Sequence, residues 1–124
     1  MGLFGKPPIP PIDDEPAVVQ WFLNHDDELR DVRNNFGGQL PRIQADVLAD
    51  LKKFPDGPSL ERHVQGIAGG YENTFLPAAA SLQQRGVAYT SDDVMVFFIE
   101  AMAATKMRVL GYFLQTKFRI RPSA

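Results

Sequence analysis

The densest run of side chains able to hold a metal or move a proton is His25-Asp26-Asp27-Glu28, with Asp31 close behind. On a helix, His25 and Glu28 share a face, three residues apart. A metal site inside a helical bundle draws carboxylates from facing helices, commonly with a Glu-x-x-His pair from two of them. No second segment supplies that pattern, since the other histidine lies in Glu61-Arg62-His63. The cluster therefore reads as a solvated acidic face with His25 at the edge of a core, and neither a metal nor a cofactor is expected.

Glu100 is the more informative acid, because it interrupts the apolar run from Val94 to Ala104. A buried carboxylate must be paired or protonated. On a helical wheel Glu100 falls on a stripe with Asp93, Ala104, Arg108, Gly111 and Gln115, so a solvent-facing seam is the favoured reading. The sharper alternative is an interior acid paired with Arg62, Arg85 or an arginine from the first helix, beside a ligand pocket.

Covalent chemistry finds little footing. Ser59, Ser81, Ser91 and Ser123 lack a Gly-x-Ser-x-Gly setting, the chain has no cysteine, and two histidines offer little choice of base. Gly69-Gly70 has neither the preceding strand nor the Lys-Ser/Thr partner of a phosphate loop. Enzyme activity is disfavoured rather than excluded, and its remaining version is a small ligand- or metal-dependent helical enzyme centred on Glu100 and His25.

Charge is distributed unevenly around a formal net value of -2. After Glu100 come Lys106, Arg108, Lys117, Arg119 and Arg121, with no acid among them. In Lys117-Phe118-Arg119-Ile120-Arg121 the cations alternate with apolar residues, a pattern that suits phosphates with Phe118 stacked on a base. A basic helix end that complements its own dipole and contacts the acidic N-terminal region of this or an adjacent copy is preferred.

These residues are positioned by helices. The stretch from Asp92 to about Arg119 has no proline and is apolar around most of its circumference, which predicts a central helix covered by neighbours. Its buried part is expected to be chiefly Val94 to Ala104, with a wetter, basic second half leaving the bundle. A first helix is predicted from Asp13 or Asp14 to Phe36, with a stripe through Val18, Trp21 or Phe22, Leu29, Val32 and Phe36 that is broken at His25. A second runs from Pro41 to Phe54 through Ile43, Val47, Leu48 and Leu51, and Asp50 falls on its polar face. A third begins at a Ser59 cap and ends at Gly86, with a kink or short break between about residues 69 and 76 where Gly69-Gly70 and Pro77 weaken it. Asn73 or Thr74 would cap a restart. Thr90 or Ser91 caps the fourth, and the short connection makes the third and fourth helices an antiparallel hairpin. The fold class is all-α: an irregular four-helix bundle, or five if the third helix breaks.

The organisation follows: an extended proline-rich arm over 1–15, a bundle over 16–119 and a tail over 120–124. Pro7, Pro8, Pro10 and Pro11 favour extended polyproline. Their spacing matches PxxP recognition, although a stiff leader packing on its own domain or on a neighbour is preferred, with Phe4 able to tuck into a partner. A membrane span at 94–114 is opposed by Glu100, Lys106 and Arg108. The N-terminus has no apolar stretch of signal-peptide length, and with no cysteine a cytoplasmic setting is expected, as part of a larger particle in one version.

Together these features predict a non-enzymatic interaction or assembly protein. It would dock to a protein partner or to copies of itself through Phe4, Pro7, Pro8, Pro10, Pro11, Arg108, Lys117, Arg119 and Arg121. A nucleic-acid-associated regulator using the basic C-terminal segment is the alternative.

Overall fold

The computed structural model describes residues 14–86 and 88–120. Among these residues the structure is all-α, without strands, and forms a bundle of four helical arms. The first arm is α1 (Asp14–Asn24) and α2 (Arg30–Phe36), followed by a 3-10 turn over Gly37–Gln39; the second is α3 (Leu40–Lys53). The third joins α4 (Gly57–Gly70) to α5 (Leu76–Arg85) through a π turn at Tyr71–Phe75, and the fourth is α6 (Ser91–Thr116). No helix here is long and apolar enough to cross a membrane.

The first predicted helix is two helices. Asn24, Asp26 and Asp27 are poor helix formers, and three successive carboxylates repel one another. The chain leaves the helix at His25, whose Nδ1 lies 2.7 Å from the Trp21 carbonyl while its ring stacks on the indole at 3.9 Å. A turn closed by Leu29 N–H to the His25 carbonyl, 3.0 Å, separates α1 from α2 and buries Leu29.

The third arm departs from expectation in detail. Asp56, not Ser59, is the cap: its Oδ1 accepts the Ser59 N–H at 2.9 Å, and Pro58 sits in the first turn, where a missing donor costs nothing. At the weak point the helix widens instead of breaking. In the π turn the Leu76 N–H reaches the Tyr71 carbonyl, no restart cap forms at Asn73 or Thr74, and the extra residue accommodates the Pro77 ring, which would otherwise meet the preceding turn. Gly86 closes α5 at φ +63°, the left-handed region that glycine adopts freely.

The central helix is buried in the opposite sense to the sequence expectation. Val94 and Met95 are 46 % and 52 % exposed, whereas Val109, Leu110, Phe113 and Leu114 are nearly inaccessible. The last two turns of α6 pack on Val18, Ile43, Val47, Leu51, Leu60 and Val64 in one continuous core. Lys117 and Arg119 do not mark an exit, because the chain folds back: Arg119 takes φ 56° and the Ile120 N–H reaches the Leu114 carbonyl at 2.8 Å. Phe118 and Ile120 then lie over Gly57, where a Cβ would come 3.2 Å from the Phe118 Cβ and overlap the end of Ile120.

The α5–α6 hairpin is fastened at its turn. Thr90 Oγ1 accepts the Asp93 N–H at 3.1 Å and Asp93 Oδ2 accepts the Thr90 N–H at 3.0 Å, a reciprocal capping box. The Arg85 guanidinium donates to the same Asp93 oxygen at 3.0 Å. The Thr90 backbone bond, ahead of Arg85, holds the Asp93 carboxyl below its ordinary value of 3.8. A depressed carboxyl adds stability above the unfolded pKa, and that stability is lost as pH falls through the folded one. Thermal melts of the wild type should therefore fall more steeply below about pH 4 than those of Asp93→Asn. Parallel acid limbs for the two proteins would contradict this role.

Candidate functional site

α2 covers the first half of α6 only in part, with Phe36 edge-on to Phe98 at 5.6 Å. None of its side chains is fully buried. Between the two helices runs a groove of about 630 Å³, with Leu29, Val32 and Phe36 on one wall, Val94, Phe97, Ala101 and Ala104 on the other, and Tyr89 and Gln83 at the hairpin end. Tyr89 is fixed edge-on against Phe97 at 4.9 Å. Glu28, Asp31, Glu100 and Arg108 supply the charges of the lining.

Those charges divide into a pair and a remainder. Arg108 forms an ion pair with Glu28 and lies 5.8 Å over the Trp21 ring, tying α6 to the turn between α1 and α2. Glu100 is half-buried, and its Oε1 accepts the Tyr71 hydroxyl at 3.2 Å. Burial, and then the neighbouring Glu100, raise the Tyr71 pKa above its ordinary 10.0, so the phenol remains a donor. The π turn thus holds a neutral hydroxyl against the acid of the groove, and neither Arg62 nor Arg85 is its partner. Asp31 is exposed on α2.

A second polar site lies where α3, α4 and α6 meet. Lys106 Nζ is 2.6 Å from Asp50 Oδ2, and His63 Nε2 is 3.0 Å from the same oxygen. Asp50 Oδ2 and His63 Nε2 are both shielded from solvent, and neither completes an aligned hydrogen bond. The His63 ring stacks on Phe54 at 4.2 Å and borders a depression of about 480 Å³ that Ser59 also lines. An imidazole backed by a carboxylate could serve as a base. Ser59 Oγ, however, donates to the Asp56 carbonyl at 3.1 Å as part of the helix start, so no activated nucleophile faces His63.

The residues singled out in the sequence are dispersed. Glu100 and Arg108 share the groove, while His25, stacked on Trp21, does not line it. Lys117 and Arg119 lie at the far end of α6, with Lys117 Nζ 5.3 Å over the Phe118 ring, which packs partly buried against the core. Phe4, Pro7, Pro8, Pro10, Pro11 and Arg121 lie outside the described residues. Among the described residues no group of three or more His, Asp or Glu side chains is placed to hold a metal ion.

Asp50, His63, Tyr71 and Tyr89 did not stand out in the sequence as site residues. Lys106 carried the missing signal. It sits three residues from both Ala103 and Val109, on the arc of α6 that must be buried, and so required an acid. Comparison with known proteins returns no match: no family model, no curated protein and no solved structure is significantly similar to the chain.

Removing Asp50 strands Lys106 beside His63. Asp50→Ala should cost about 2 to 3 kcal/mol in urea unfolding, a partly exposed version of a broken buried pair. The double variant Asp50→Leu/Lys106→Met should regain most of it. A loss below about 0.5 kcal/mol, the range of ordinary surface substitutions, would contradict the assignment.

Proposed function

We propose that this chain is a non-enzymatic interaction and assembly protein that associates with copies of itself through the groove between α2 and α6. The observation that carries the reading is the incomplete cover of α6. One half of the helix is sealed in the core, whereas the other presents Val94, Phe97, Ala101 and Ala104 to an open groove walled by a helix with no buried side chain. Apolar surface left open in this way, rimmed by charge, is the usual mark of a docking site.

Other readings draw less support. Lys106 faces Asp50 and Arg108 faces Glu28, which removes two of the five cations a nucleic-acid contact would use. The enzyme reading needed Glu100 and His25 together, and they belong to different surroundings.

Light scattering over a concentration series tests the proposal. The wild-type mass should rise above that of one chain with concentration. Ala104→Glu, which places a charge on the groove wall, should remain a folded monomer by circular dichroism and scattering. A wild type that stays monomeric throughout, or an Ala104→Glu protein that associates as the wild type does, contradicts it.

A further inference from the structure

We propose that the groove receives Leu3 to Lys6 of a second copy of this chain, Leu3 and Phe4 covering the apolar wall and the Lys6 ammonium meeting Asp31 and Glu100. This rests on the groove being the docking site. Charge selects the occupant. Glu28 and Arg108 neutralise each other, which leaves Asp31 and Glu100 as the net charge of the lining, so the groove suits an apolar segment carrying one cation. Leu3-Phe4-Gly5-Lys6 is such a segment, and no acid follows it before Asp13.

Length and stiffness agree. From Val94 to Arg108 the wall runs about 21 Å at 1.5 Å per residue, and the four extended residues Leu3 to Lys6, about 13 Å, fit within it. Pro7, Pro8, Pro10 and Pro11 make the following stretch a stiff spacer by composition, suited to carrying Leu3 to Lys6 outward to a neighbour rather than back along its own helix. The other basic element fits poorly. Phe118 and Ile120 are already packed against their own core, so the segment from Lys117 to Ile120 has no apolar side chains to offer.

Analytical ultracentrifugation of full-length variants tests this apart from the groove itself. Phe4→Ser and Lys6→Glu should each weaken association about tenfold or more, the size expected of a central anchor. Combining Lys6→Glu with Asp31→Lys, or with Glu100→Lys as the second charge swap, should restore most of it. If both swaps fail to restore association, the proposal is overturned. If Phe4→Ser and Lys6→Glu associate normally while Ala104→Glu does not, the groove holds another element; this proposal falls and the docking site stands. A monomeric wild type in which Phe4→Ser shifts the amide signals of residues 94–108 would place the segment in its own groove, and also overturns the proposal.

Discussion

The arrangement of this bundle depends on satisfying one cation. Lys106 lies on the buried arc of α6, and an ammonium group cannot be taken out of water without a partner. Asp50 supplies it at 2.6 Å, which ties α3 to α6. His63, held by Phe54 and facing the same carboxylate, joins α4 to them.

With α3, α4 and the second half of α6 fixed, the remaining freedom lies in the first arm. The carboxylates at Asp26 to Glu28 break it, and the break decides the surface of the protein. The turn at His25 to Leu29 divides the arm, and beyond it α2 leaves a groove along the first half of α6. The acidic run is thus important as a helix breaker and as the source of Glu28, which anchors Arg108.

Much of the fold was legible because it follows from periodicity and punctuation. The central helix, the α3 stripe from Ile43 to Leu51, the weak point before Pro77, the glycine stop at Gly86 and the Thr90 cap are local features, and local chemistry decides them. The burial of α6 was not legible. Lys106, Arg108, Lys117 and Arg119 read as a wet end, yet Lys106 is paired inside, Arg108 is paired at the rim, and the reversal at Arg119 brings Phe118 and Ile120 back onto the core. The pairing of Asp50 with Lys106 joins residues 56 positions apart, so a reading of each helix face alone leaves Asp50 on a polar one. At the candidate site Glu100 and Arg108 stood out by their setting, whereas Tyr71 and Tyr89 entered it only through the hairpin that folds them there.

The central claim is that the open side of α6 is covered when copies of the chain associate. Backbone amide hydrogen exchange, compared at concentrations that favour the single chain and the assembly, tests it most directly. The account predicts that protection gained on association concentrates in α2 and in residues 94–108, while α4 and the second half of α6 are unchanged because they are already sealed. Protection gained elsewhere, with α2 and residues 94–108 exchanging as in the single chain, would contradict it.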